Sequence, residues 1–211
     1  MDLAKLLDVM EVESRKRKAP VYELKSELRT PFHHLVAALL SSRTRDEVTI
    51  QAAQRLLDLA DSPEKLASMS VSEIEDLIKG VGFYRVKARR LKELATILVK
   101  RYNSKVPLQF EELIKLPGIG RKSANVVLAH LGHPAIAVDT HVHRVSNRIG
   151  LVKTKKPNET EAELKKIFPE KLWNRVNRVL VGFGQTVCKP QKPLCNECPL
   201  RNQCREVLKH G

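Results

Sequence analysis

Apolar side chains in this chain recur every three to four positions behind well-formed helix starts, and no run of alternating apolar and polar residues of strand length occurs. That pattern admits helices and little else. Ser62-Pro63-Glu64 sets a capping hydroxyl ahead of a proline suited to the first helical position, whose N–H would be unpaired in any case. Ser70 and Glu73 have the spacing of a reciprocal capping box ahead of Ile74, Leu77 and Ile78. Val86, Leu91, Leu94, Ile97 and Leu98 follow with helical spacing after the Gly80-Val81-Gly82 break. Asn158 with Glu161 predicts another helix start, and Lys171 to Val181 another helix. The expected fold class is all-α. A chain of 211 residues has room for one large domain or two small ones, with a core that needs no disulfide.

Charge narrows the partner. Thirty-eight Lys and Arg against 24 Asp and Glu leave a formal +14, an excess that concentrates polyanions, nucleic acid first among them. The plain alternative is a soluble protein that is simply rich in lysine. Aromatic residues are 4% of the chain, too few for a surface that stacks many bases, so phosphate contacts carry the expected affinity. The longest unbroken apolar run, Leu35 to Leu40, is six residues, against the ~20 that a membrane span needs. Asp2, Lys5 and Asp8 interrupt what would be the apolar stretch of a signal peptide. The expectation is therefore a cytoplasmic protein that engages no membrane.

The four cysteines, Cys188, Cys195, Cys198 and Cys204, fall within 17 residues. Disulfides that staple a fold are usually spread over it, so the spacing C-x6-C-x2-C-x5-C reads as one tetrathiolate metal site in a reducing compartment. Structural zinc usually takes two close-spaced pairs, and only Cys195 and Cys198 form one here. Iron–sulfur clusters also take four thiolates. Spacing leaves both metals open.

One form occurs twice: Ile78-Lys79-Gly80-Val81-Gly82 and Leu116-Pro117-Gly118-Ile119-Gly120, each between two helices. Such a turn leaves amide hydrogens uncovered at a helix start, where phosphates bind. The first copy reads as an ordinary tight turn. In the second, Arg121 and Lys122 follow at once. A lysine on a first helical turn meets the positive dipole end and a neighbouring arginine, both of which disfavour its cation and favour attack on carbon. Downstream, Asp139 in Ala137-Val138-Asp139-Thr140-His141 stands at the mouth of a helix running to Ile149, as an N-cap that stays ionised.

The segment Leu116 to Asn125 resembles the helix–hairpin–helix of the endonuclease III family of DNA glycosylases, Val138 to His141 its aspartate segment, and the cysteine tail its [4Fe–4S] loop. With Leu35 to Asp46, which is also similar, these occur in family order over nearly the whole chain. The resemblance implies a six-helix barrel over 23–133, and a cluster domain from 1–22 plus 134–211 with the cluster loop at 188–204. DNA carrying damaged bases or abasic sites would lie across the cleft between them, bound by a monomer in a prokaryotic, nucleoid-associated setting. It further implies removal of oxidised pyrimidines such as thymine glycol, with Lys122 attacking the sugar and β-elimination cutting 3′ to the lesion. Asp139 would stabilise the sugar cation or help deprotonate the lysine, and Gly118, Gly120 and Arg121 would hold DNA. Arg43 stands where many members have a glutamine that fills the space of the flipped base, and Phe83 where the family often has a leucine wedge; Phe83 could equally be core. Two other readings stay open: a mismatch glycosylase without lyase chemistry, and a non-catalytic helix–hairpin–helix DNA-binding protein. Of the remaining features, Arg15 to Lys18 reads as a solvated basic segment, His33 and His34 as capping or packing residues, His141 and His143 as flanking residues without a metal pattern, and Trp173 as core.

Overall fold

The computed structural model describes residues 2–23 and 28–210, and its regular elements among those residues are all helices. In chain order they are α1 (Leu3–Lys16), α2 (Pro20–Glu23), α3 (Pro31–Ser41), α4 (Asp46–Leu59), α5 (Pro63–Ser68), α6 (Val71–Leu77) and α7 (Tyr84–Tyr102). Then come α8 (Phe110–Leu113), α9 (Arg121–His130), α10 (Thr140–Ile149), α11 (Pro157–Ile167), α12 (Trp173–Thr186) and α13 (Arg205–His210). Short 3-10 turns lie at Glu170–Leu172, Cys195–Glu197 and Arg201–Gln203. The helices gather into two units, one within Ser26–Leu131 and one within Met1–Lys25 and Gly132–Gly211.

The start signals work as the residues suggest. The Ser62 hydroxyl accepts from the Lys65 amide at 3.3 Å, and Ser70 and Glu73 close both halves of their box at 3.2 and 2.7 Å. Thr30 caps α3 ahead of Pro31. Each such cap stabilises its helix by about 1 kcal/mol. One start is displaced from the expectation. Pro157 takes the first position of α11, so Asn158 lies inside the helix, and Glu159 reaches back to the amides of Lys155 and Lys156 at 3.0 and 3.2 Å. Glu161 is buried and pairs with Lys165 at 2.8 Å.

In the unit of residues 26–131, α3 is nearly apolar throughout and buries Phe32, Leu35, Val36, Leu39 and Leu40 against α4, α7 and α9. Leu91, Leu94 and Leu98 line the buried stripe of α7, each contributing about 1.5–3 kcal/mol. Val86, in step with them by spacing, is 43% exposed and faces solvent. In the other unit, α12 packs on α1 and α10 and buries Val176, Val179, Leu180 and Phe183 against Leu6, Leu7 and Met10. Trp173 is half-buried beside this core and donates its indole N–H to Phe168 O at 2.8 Å. The basic segment is more than solvated charge, because Arg17 pairs with both Glu13 and Glu197, tying α1 to the cysteine-bearing tail.

His34 and His130 stack at 5.1 Å with an interplanar angle of 13°, and the buried His34 Nδ1 has no hydrogen-bond partner. Burial, and then the neighbouring imidazoles, push the His34 pKa from 6.5 down to about 4. Between those values the unfolded chain takes up a proton that the folded chain refuses, so stability is full above 6.5 and is lost as pH falls towards 4. Thermal unfolding from about pH 7 to about pH 4.5 should show the wild type losing on the order of 2 kcal/mol more than His34→Leu. Parallel losses would remove His34 as the cause.

Candidate nucleic-acid interface and cysteine site

The hairpin between α8 and α9 is anchored by the buried side chains of Leu113, Leu116 and Ile119. Gly118 has a φ of +79°, and a Cβ there would lie 3.1 Å from both Leu39 Cδ1 and Arg90 Cδ. Backbone strain and crowding together reserve the position for glycine. Gly120 caps α9 without a side chain, and nothing stands within 4 Å of where its Cβ would be. The first amides of α9 therefore open outward at the positive end of the helix dipole, an arrangement that suits a phosphate. Arg121 and Lys122 are both exposed on this turn, and the Arg121 guanidinium lies 4.8 Å from the centre of the Phe110 ring. Gly118, Gly120, Arg121 and Lys122 thus share one surface.

Arg43 and Phe83 meet on the same unit. They sit in the α3–α4 and α6–α7 turns, and the guanidinium lies 5.6 Å from the centre of the ring. Both backbones are left-handed, with φ of 51° and 59°, which costs on the order of 1 kcal/mol for a residue with a side chain. Phe83 is 62% exposed, so it is not a core residue. The turns touch through Gly82, where a Cβ would fall 2.5 Å from Arg43 O and whose amide donates to Thr44 Oγ1 at 3.1 Å. Beneath them lies Lys87, 3% exposed, whose Nζ donates to Leu40 O at 2.7 Å, Ser42 O at 2.6 Å and Thr44 Oγ1 at 3.0 Å. Burial lowers its pKa from 10.5 to about 8. The sequence reading did not single out Lys87. The available signal was a lysine in register with Leu91, Leu94 and Leu98 on a buried stripe.

Asp139 belongs to the other unit. Its half-buried carboxylate caps α10, accepting from the Val142 amide at 2.9 Å. The segment leading to it, Ala135 to Val138, is buried yet pairs with no strand. Two of its backbone groups are paired by α12: Asn174 Oδ1 accepts from the Ala135 amide at 3.0 Å, and Asn177 Nδ2 donates to Ala137 O at 2.7 Å.

The other half of α10 holds the cysteine loop. Arg144 donates to Gly184 O and Cys188 O, both at 3.0 Å. Arg148 donates to Lys189 O at 2.7 Å and Pro190 O at 3.0 Å, and its Nη1 lies 3.9 Å from Cys188 Sγ. The Cys204 thiol donates to Arg148 O at 3.6 Å. None of the four cysteines is in a disulfide, and all four line one cavity of about 110 Å³. Burial pushes the thiols of Cys188 and Cys198 up. Among the described residues, no three His, Cys, Asp or Glu side chains converge on a single-ion position. One helix therefore carries the capped aspartate at its start and braces the cysteine loop along its later turns.

An all-helical fold with an open glycine hairpin leading into a basic helix start is suited to a protein that holds a nucleic-acid backbone phosphate. Residues 36–170 match the family of HhH-GPD superfamily base excision DNA repair proteins. The chain is 50% identical to endonuclease III of Thermotoga maritima over 86% of its own length and 85% of that protein's. It is 40% identical to endonuclease III of Bacillus subtilis, over 85% and 83% of the two chains. A solved structure of a trapped endonuclease III–DNA covalent intermediate is 38% identical, with a TM-score of 0.86 over 97% of this chain and 94% of that one. A thermostable thymine-DNA glycosylase, 23% identical with a TM-score of 0.82 over 98% of this chain and 96% of that one, shares the fold. The chain belongs to the endonuclease III family of the HhH-GPD superfamily, and is a DNA-binding glycosylase of base excision repair.

Arg148→Met would remove the guanidinium donors to Lys189 O and Pro190 O while leaving those of Arg144 to Cys188 O. The expected cost is about 0.5–1.5 kcal/mol of local stability, read as faster hydrogen exchange at the amides of Cys188 and Lys189 with the amides of α7 unchanged.

Proposed function

We propose that the protein is a bifunctional DNA glycosylase and abasic-site lyase that removes oxidised pyrimidines, thymine glycol among them, and cuts the strand 3′ to the lesion. The observation that carries the reading is Lys122, exposed on the first turn of α9 just past the open Gly120 cap, in a chain of this family. The damaged nucleotide turns out of the stack at a cost of a few kcal/mol, lowest for a poorly stacked base. The Lys122 amine attacks C1′ as the glycosidic bond breaks, and the base leaves with its electron pair, taking a proton. Ring opening yields a Schiff base, which acidifies the C2′ hydrogen. Loss of that proton expels the 3′ phosphate, and hydrolysis of the resulting imine frees Lys122.

Asp139 supplies the carboxylate that stabilises positive charge on the sugar or accepts the lysine proton. Its role as cap supports this, because the bond from the Val142 amide orients an acceptor that has lone pairs to spare. The amides around Gly118 and Gly120, with Arg121, hold a backbone phosphate without reading sequence. Phe83 wedges into the opened step and Arg43 meets the orphaned base, with a preference for guanine edges.

Cys188, Cys195, Cys198 and Cys204 hold a [4Fe–4S] cluster. The cavity that all four line supports one group shared among them. When bound it supplies a rigid tetrathiolate crosslink of the loop rather than hydrolytic chemistry. The barrel then spans 23–133 and the cluster domain 1–22 plus 134–211. A monomer in a prokaryotic cytoplasm, at the nucleoid, completes the reading.

Borohydride trapping on a duplex carrying one thymine glycol tests the mechanism. Wild type should give a covalent adduct and Lys122→Ala none. No adduct there or on an abasic duplex would exclude the lyase and leave a mismatch glycosylase, to be tested by base release. Asp139→Asn keeps an equally good cap while removing the charge, so its melting temperature should hold while single-turnover base release drops about 100-fold or more. Iron and visible absorbance in the purified protein, against zinc and no colour, check the cluster.

A further inference from the structure

The turns that carry Arg43 and Phe83 come from different helix pairs, yet they are tied together beneath the surface. Lys87 Nζ binds three oxygens of the Leu40 to Thr44 stretch, two of them backbone carbonyls. Thr44 Oγ1 also accepts from the Gly82 amide, one residue before Phe83. The three donors of an ammonium match three acceptors, so this is a fully used buried cation without a carboxylate. The backbone it underpins is left-handed at both Arg43 and Phe83, a state that persists only where the surroundings over-determine it. The side chains so held are an exposed ring and a guanidinium in contact with it, projecting from the unit that carries the hairpin. Nothing in the packing of α7 asks for a charge at this position, since its neighbours on the stripe are leucines.

We propose that Lys87 is a positioning residue that locks the Arg43 and Phe83 turns into one two-pronged probe, which enters the DNA stack as a unit. The inference rests on the reading of those two side chains as stack-entering groups. Lys87 touches no DNA. It converts two independent loops into one rigid body, so the ordering of both prongs is complete before DNA arrives. Without it, each prong samples other backbone states, and the opened step is held less often. Contacts to phosphate, made elsewhere on the unit, are unaffected.

The test uses the full chain as Lys87→Met, with Thr44→Val as a milder variant. The second removes the shared oxygen at a half-buried site, and so probes the tie even if the first variant folds poorly. The probe is a duplex with a tetrahydrofuran abasic analogue opposite 2-aminopurine, whose fluorescence rises on unstacking. This analogue has no base to release and no reactive C1′, so the readout does not depend on catalysis. The variants should lose the preference for this duplex over an intact one by roughly 10- to 100-fold, the scale of a misplacement of about 1 Å. The fluorescence rise should go with it, while affinity for intact duplex and its salt slope stay within about 2-fold. Wild-type preference and fluorescence in both variants would overturn the proposal. So would a parallel loss of affinity for both duplexes, or a wild type that raises no fluorescence. Failed borohydride trapping alongside the expected fluorescence pattern would remove the lyase and leave this inference standing.

Discussion

Every carbonyl buried where one helix hands over to the next needs a donor, and an all-helical protein has no sheet to supply it. In this chain long side chains from neighbouring helices do so. Lys87 serves the turn after α3, Arg55 donates to Leu77 O and Lys79 O after α6, and Lys92 donates to Ala67 O and Met69 O after α5. Asn177 satisfies a carbonyl of the buried segment before α10, while Arg144 and Arg148 hold carbonyls from Gly184 to Pro190. Where the acceptor is buried, as Leu40 O is beneath Lys87, removing the donor leaves it unpaired, which costs more than the bond itself contributed.

This use of cations changes the meaning of the net charge of +14. Part of the excess is spent inside the protein, on backbone rather than on acidic partners. The rest stands on the surface, and Arg121 and Lys122 at the open start of α9 show how the two kinds differ. There the first amides of the helix are uncovered beside two exposed cations, an arrangement that attracts an outside anion. The same helix-start physics appears in two forms. At Asp139 a side chain closes the start of α10 and becomes oriented; at Gly120 the absence of a side chain leaves the start of α9 available.

Local signals were readable wherever a few consecutive residues decide the outcome. The Ser62 and Ser70 caps, the Asp139 cap and the glycine hairpin depend on atoms three or four positions apart, and each formed where expected. The start of α11 shifted by two residues, to a cap at Lys156, because Pro157 fits the first helical position better than Asn158 fits the cap. Arg43 and Phe83, forty positions apart, could be suspected singly, but nothing local says that their turns touch through Gly82. Arg17 looked like part of a basic tract, and its tie to Glu197 joins residues 180 positions apart.

Residue order and spacing alone therefore determined the helical class, the capped starts of α5, α6 and α10, the positive excess and the gathering of four cysteines into one short tail. They could do so because propensity, capping and net charge are short-range or summed properties. Tertiary structure alone decided which cations turn inward and which face out, that Phe83 is exposed, and that the four thiols surround one cavity. Those outcomes hang on which distant carbonyls end up buried beside which side chains. That depends on how helices pack, and no single stretch of sequence carries it.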